Sequence, residues 1–167
     1  IKCNTTIKAA SNRKALWKAL LDEQLDIIAT EHAPHTWEEK QKNYSDAPAG
    51  VPLVQHSLLM LLEAYTNGRI SLENIVAKAC HAPARCFQIS ERGYIREGYF
   101  ADAVLVDLTK STEVTKQSIL YRCGWSPFEG HHFPASIEST FVNGRLAYHQ
   151  GNIVEGENGM RLQFNRA

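Results

Sequence analysis

The sequence is short of several things, and each shortage excludes a class of protein. Its longest apolar run, residues 58–62, falls far below the ~20 residues a helix needs to cross a bilayer, so no membrane span is expected. No basic segment followed by an apolar stretch marks a secretory leader. Eighteen basic residues balance eighteen acidic ones, so the surplus or stripe of positive charge that holds nucleic acid is missing. The four cysteines, Cys3, Cys80, Cys86 and Cys123, form no Cys-x-x-Cys pair. In a chain of this size they read as reduced, small apolar residues of a cytoplasmic protein and not as a disulfide framework.

What is present is the composition of a folded domain. Apolar residues at 44% and charged residues at 22% argue against disorder, and 167 residues suffice for one ordinary domain or two small ones. The first residue is Ile1 and not methionine, within what reads as a structured segment, so the chain is expected to be part of a longer one.

Ser11 reads as the N-cap of a helix to about residue 23, with Ala15, Leu16, Ala19 and Leu20 on one face. The run Leu25-Asp26-Ile27-Ile28-Ala29-Thr30 has a β-branched apolar centre and suits a strand buried on both faces, as in a parallel sheet or barrel. Residues 31–52 form a polar loop punctuated by Pro34, Pro48, Gly50 and Pro52. An apolar helix is expected over 53–66, closed by Asn67-Gly68. Ser71 caps another helix to about residue 80, and a short one passes through Arg85 and Phe87. After Ser90 the texture turns to β: a strand pair over 93–98 and 101–107, then a hairpin over 137–149 about Asn143-Gly144, with a further turn at Gln150-Gly151-Asn152. A boundary near Ser90 divides the chain into 1–90 and 91–167.

Chemistry is concentrated in Glu31-His32-Ala33-Pro34-His35, directly after the expected strand. In parallel α/β barrels the C-terminal ends of strands form the active-site mouth. A carboxylate and two imidazoles in five positions there can ligate a metal or hold an anion, or can simply be a polar loop with His32 bonded to backbone and His35 solvated. Pro34 disfavours a helical His-x-x-x-His metal site.

The surrounding residues resemble a known family. Ile28-Ala29-Thr30-Glu31-His32-Ala33-Pro34-His35 is similar to the I-A-T-D-H-A-P-H segment that ends the eighth barrel strand of dihydroorotases, in the amidohydrolase superfamily. Lys2-Cys3-Asn4 with Ile7-Lys8 resembles K-x-N-P-P-[LI]-R, and Glu38-Glu39-Lys40 and Ala47-Pro48-Ala49-Gly50 resemble the loop after the strand. Pro83-Ala84-Arg85 resembles the N-P-A-R helix. Residues 101–107 resemble A-D-x-V-L-V-D, and Ser126-Pro127-Phe128-Glu129-Gly130 resembles T-P-F-E-G. The likeness covers essentially the whole chain, and the D-H-A-P-H form separates dihydroorotases from hydantoinases and allantoinases.

The resemblance implies a zinc-dependent cyclic amidohydrolase that interconverts N-carbamoyl-L-aspartate and dihydroorotate in pyrimidine biosynthesis. It places Glu31 as metal ligand and proton relay, Asn4 and His35 at the substrate, His35 near its carboxylate, and the Ala49 and Gly50 backbone against the dihydropyrimidine ring. Two departures stand out: the family's aspartate is Glu31, one methylene longer, and Thr5-Thr6 replaces Pro-Pro. The remaining zinc ligands of the family, an H-x-H pair among them, have no counterpart in these residues. His131-His132 reads as a solvated pair, and His56, His81 and His149 as packing or surface residues.

The expected architecture is therefore the C-terminal portion of a TIM-type α/β barrel over 1–90, followed by part of a small β-sandwich over 91–167. A complete barrel needs roughly 250 residues. The partners implied are a small-molecule substrate, the remainder of the same barrel and a second copy of the protein. The rivals are a catalytically silent dihydroorotase-like assembly partner, favoured by Glu31, and a hydantoinase- or allantoinase-like enzyme.

Overall fold

A computed structural model describes residues 2–4, 9–156 and 159–165. Thr5, Thr6, Ile7 and Lys8 of the first motif, and Ile1, lie outside the described residues. Helix α1 spans Ala10–Leu21. It begins earlier than Ser11 predicts, with Ala9 as an N-cap lacking a side-chain bond. It stops before Glu23, whose left-handed backbone (φ 61°) cannot continue a right-handed helix.

Residues 25–30 do not form the expected barrel strand. They run extended without a neighbouring strand among the described residues, and Leu25 is 40% exposed. Their backbone is held by one buried lysine: the Ile28 N–H donates to the Lys78 carbonyl at 3.1 Å, and Lys78 Nζ donates to the Leu25 carbonyl at 2.7 Å. A barrel strand exists only through ladders on both sides, and the described residues provide neither. They contain no closed barrel.

The short helix α2, Trp37–Lys40, starts on a capping box: Thr36 Oγ1 accepts from the Glu39 N–H, and the Glu39 carboxylate accepts from the Thr36 N–H. Helix α3, Ser57–Thr66, follows a single 3₁₀ turn and ends at Asn67-Gly68, as its sequence predicts. It is apolar almost all round because it serves two cores. Ala64, Leu58 and Leu61 pack with Leu20, Ile70 and Ile75, whereas Leu59 packs with Val114 and Phe133 from beyond residue 90.

Ser71 caps helix α4, Leu72–Val76, through the Asn74 N–H. The expected two helices are one continuous run, because a π-helical turn, Ala77–His81, joins α4 to α5, Ala82–Cys86. Pro83 lies in the first turn of α5 and has no N–H to give an α-helical bond, which suits a widened turn just before it.

The later residues form two antiparallel sheets. Four strands pair in the order β1 (Ala103–Asp107), β4 (Ser136–Val142), β5 (Arg145–His149), β6 (Asn152–Ile153). The short β2 (Thr112–Glu113) pairs with β3 (His132–Phe133). The hairpin turn at Asn143-Gly144 has φ of 53° and 78°, the mirror-image turn that matches strand twist. The strand expected over 93–98 is absent. Gly93 and Gly98 take positive φ, and the Tyr94 ring stacks on His81 at 4.1 Å in place of a cross-strand neighbour. Ile137 of β4 packs against Phe133 of β3 and Val114, whereas Leu105 and Ile153 of the four-stranded sheet stand 59% and 61% exposed.

Candidate active site

Two loops meet at the end of the extended segment. Ala33 N–H donates to the Val51 carbonyl at 3.2 Å, and His32 and Val51 form a parallel bridge. Gly50 lies against Ala33 so closely that a Cβ there would sit 2.4 Å from the Ala33 carbonyl oxygen, and its φ of 131° disfavours any other residue. This contact sets Ala49 and Gly50 beside the loop that carries His35.

His35 Nε2 lies 3.1 Å from the Ala49 carbonyl oxygen. A carbonyl only accepts, so Nε2 carries a proton. Nδ1 faces Glu39 Oε2 at 3.8 Å. The Glu39 carboxyl is held below its ordinary range chiefly by the Thr36 N–H. His32 Nδ1 accepts from the Leu53 and Val54 N–H groups at 3.0 and 3.3 Å, so its remaining donor is Nε2–H. Of the two simple readings of these imidazoles, backbone bonding describes His32, whereas His35 is half-buried and bonded, not merely solvated.

Glu31 is exposed, has no hydrogen-bond partner among the described residues, and adopts φ 50°. Asn4 is also exposed, but the Gly50 N–H donates to the Lys2 carbonyl at 2.9 Å, which draws the Lys2–Asn4 stretch to the Gly50 loop. The structure thus brings His35, Ala49 and Gly50 together, joins Asn4 to them through the backbone two residues before it, and sets Glu31 at the loop's start.

Three groups that the sequence reading passed over hold this arrangement. Lys40 Nζ donates to the carbonyls of Pro48, Gly50 and Lys2 at 2.7, 2.9 and 3.3 Å, tying three chain segments at one point. Trp125 is buried, and its indole N–H donates to the His35 carbonyl at 2.8 Å. Tyr121 stacks beside His32, and its hydroxyl accepts from the Gln55 N–H and lies 3.3 Å from Nδ1 of the buried His56. Burial pushes the His56 pKa down and the Tyr121 pKa up, so both sit neutral behind the loop. Only the Glu38-Glu39-Lys40 and Ser126-Pro127-Phe128 motifs beside them could have drawn attention to Lys40 and Trp125. Phe128 packs against the second core, beside Phe133. His131 is not a free solvated group: its Nε2 meets Glu63 Oε1 at 2.9 Å, and its ring packs on Phe133.

A cavity of about 470 Å³ opens between His32, His35 and Thr36 on one side and Tyr121, Arg122 and Cys123 on the other. A larger cavity of about 580 Å³ lies between the start of α3 and the four-stranded sheet. It is lined mainly by apolar groups such as Leu58, Val104 and Ile153, and its Lys110 and Glu138 pair with each other. Of the expected site residues, His35 alone is in the lining of the smaller cavity.

Zinc takes three or four nitrogen, oxygen or sulfur ligands. Among the described residues no group of three or more His, Cys, Asp or Glu could hold a metal ion. Glu31 stands as a single carboxylate, so these residues do not by themselves fit the expected zinc pair.

The amidohydrolase family model matches residues 3–147. The chain is 36% identical over 164 residues to a dihydroorotase of Halobacterium salinarum, covering 97% of this chain and 38% of that protein. It is 33% identical over 156 residues to a dihydroorotase of Methanothermobacter thermautotrophicus, covering 93% and 36%. Among solved structures, L-hydantoinase from Arthrobacter aurescens matches with a TM-score of 0.84 and 27% identity, covering 92% of this chain and 35% of that one. The chain thus spans little more than a third of each of these relatives. No helix among the described residues is long and apolar enough to cross a membrane.

Proposed function

The chain belongs to the amidohydrolase family, and from that membership we infer that it supplies one wall of a dihydroorotase active site. The reaction is the reversible cyclisation of N-carbamoyl-L-aspartate to dihydroorotate, a step of pyrimidine biosynthesis in the cytoplasm. The observation that carries this reading is the 36% identity to a dihydroorotase over nearly the whole chain, Glu31-to-His35 loop included. The relatives' greater length leaves the rest of the barrel and the other ligands to residues beyond these 167. Residues 1–90 would belong to the barrel and 91–167 to the accompanying β-sandwich, in a homo-oligomer.

Each site residue has a role its surroundings permit. In the hydrolytic direction water adds to the ring amide carbonyl, a C–O bond forms and the C–N bond breaks. Glu31, exposed and unpartnered, accepts the water's proton and returns it to the departing nitrogen. Asn4 donates to the substrate, His35 borders its carboxylate, and the Ala49 and Gly50 backbone lies along the ring. Zinc belongs to this proposal as the Lewis acid of the complete enzyme, with Glu31 as the ligand from this chain.

Glu31 also supports the rival of a silent, structural relative, because its extra methylene moves the carboxylate. A displacement of ~1 Å in an active site can lower a rate on the order of 100-fold. The solved L-hydantoinase keeps a hydantoinase reading alive. Assay of the full protein on dihydroorotate, hydantoin and allantoin, with Glu31→Asp and Glu31→Gln beside wild type, tests all three. Turnover of dihydroorotate that falls roughly 100- to 10,000-fold in Glu31→Gln and rises in Glu31→Asp is expected. No turnover by wild type or by Glu31→Asp defeats the enzyme reading, and turnover of hydantoin alone defeats the substrate.

A further inference from the structure

Three successive carbonyls, of Pro48, Ala49 and Gly50, are taken up by two side chains. Those of Pro48 and Gly50 accept from Lys40 Nζ at 2.7 and 2.9 Å, and the one between them, on Ala49, accepts from His35 Nε2 at 3.1 Å. Peptide planes are rigid, so holding the carbonyls on either side of Ala49 restricts the swing of the middle one. The bond from His35 needs only the proton on Nε2, and it forms in either charge state of the ring.

The third N–H of the Lys40 ammonium reaches the Lys2 carbonyl at 3.3 Å, which also accepts from the Gly50 N–H. An ammonium has three donors, and here each has its own backbone acceptor. Lys2 is pinned from its other end as well, because its ammonium donates to the Tyr44 and Ser45 carbonyls at 3.0 and 3.2 Å. Lys40 itself comes from α2, which the Thr36–Glu39 capping box sets in place directly after His35. One cation thus joins three stretches: the one with His35, the one with Ala49 and Gly50, and the one with Asn4, two residues beyond Lys2. None of its bonds reaches Glu31. A compact ammonium among backbone oxygens is held as carbonyls hold a small cation, in place of its water shell.

We propose that Lys40 is a positioning residue, a tethered cation in a three-carbonyl cage that aligns the backbone at residues 48–50 with His35 and with the Lys2–Asn4 stretch. Its bonds all end on backbone, so it acts through those carbonyls and not on substrate. That the aligned groups bind dihydroorotate rests on the dihydroorotase reading, whereas the cage does not.

The test uses the full protein with Lys40→Met, which keeps the stem without the ammonium, and Lys40→Ala, which leaves room for free propylammonium, the missing part of the side chain. Steady-state kinetics on dihydroorotate and thermal melts are measured for both variants and wild type, in propylammonium or tetramethylammonium chloride at equal concentration. Lys40→Met should raise KM on the order of ten- to a hundredfold with kcat little changed. Propylammonium should return part of the KM loss in Lys40→Ala and raise its melting temperature. Tetramethylammonium has no N–H to donate and should do neither, and wild type should not distinguish the two salts. An unchanged KM in Lys40→Met overturns the inference. So does a loss shared equally by KM and kcat, or an equal response of Lys40→Ala to both cations, each of which assigns the lysine a merely structural place. If Lys40→Ala does not fold, the split between KM and kcat in Lys40→Met decides. If wild type turns over nothing, the dihydroorotase reading fails and the Lys40→Ala melts decide the cage: stabilisation by propylammonium alone upholds it, and an equal response to both cations overturns it.

Discussion

Lys78 and Leu25 are joined by a 2.7 Å hydrogen bond from a nearly fully buried ammonium to a backbone carbonyl. The same ammonium meets Glu23 Oε2 at 2.8 Å, and the Lys78 carbonyl accepts from Ile28. One residue from the π-helical turn therefore grips both ends of the stretch that leads into Glu31, where a sheet ladder was expected. Lys78→Met keeps the stem but leaves the Leu25 carbonyl without its donor. A cost of about 1–3 kcal/mol is expected, the Glu23 contact adding little because that carboxylate is 72% exposed. Urea unfolding of the full protein measures it, and an unchanged midpoint would show that the ammonium is not the grip.

Glu31 sits in the left-handed region at φ 50°, where glycine, asparagine and aspartate are better tolerated than glutamate. Glu31→Gly should raise stability by about 1 kcal/mol while abolishing turnover. Paired thermal melts and rates read the two effects separately. A loss of stability would mean that an attraction of the carboxylate outweighs the backbone strain.

Gly50→Ala places a methyl 2.4 Å from the Ala33 carbonyl oxygen at a φ alanine rarely adopts. The two loops must part, at a cost on the order of 3 kcal/mol, and His35 loses its place against Ala49. Substrate affinity should collapse before the fold does, which a binding isotherm at a temperature well below the melt can establish.

His56 is neutral in the fold because burial depresses its pKa below the ordinary 6.5, and the hydroxyls of Tyr121 and Ser126 face its Nδ1. With the folded pKa lowered, the unfolded chain binds the proton first as pH falls. Its contribution is whole above the unfolded value and is lost as pH drops from about 6.5 through the folded pKa. His56→Gln should flatten the stability profile between pH 7 and 5. Parallel profiles for wild type and variant would assign that slope elsewhere.

Some of this was legible in the sequence and some was not, for physical reasons. The Asn143-Gly144 hairpin and the Asn67-Gly68 helix end depend on backbone preferences of the residues themselves, so they could be read locally. The run 25–30 carries a strand's composition, yet a strand is a relation between segments, and its neighbours are not among the described residues. Residues 93–98 have strand-like alternation, but two positive-φ glycines and the Tyr94–His81 stack turn the chain instead. At the site, the motif pointed to the loop but not to its wiring. The bond from His35 to Ala49 joins residues fourteen apart, and those from Lys40 reach back to Lys2, distances over which no periodicity speaks.

The chain's last described residues return to where the β region begins. Ile89 bridges Phe164 antiparallel, the Ser90 N–H donates to the Gln163 carbonyl at 2.9 Å, and the Asn165 N–H donates to the Gln88 carbonyl at 2.8 Å. Everything from residue 90 to 163 is thus a single excursion drawn shut at its neck. Closure entropy rises only with the logarithm of loop length, about 0.6 kcal/mol per doubling. Extra residues at a tip such as Gly151 would add almost nothing to that term, whereas opening the neck would release the whole excursion, including the Val114 and Phe133 side chains that shield Leu59. Length is cheap in this half of the molecule, and the place where it starts and ends is not.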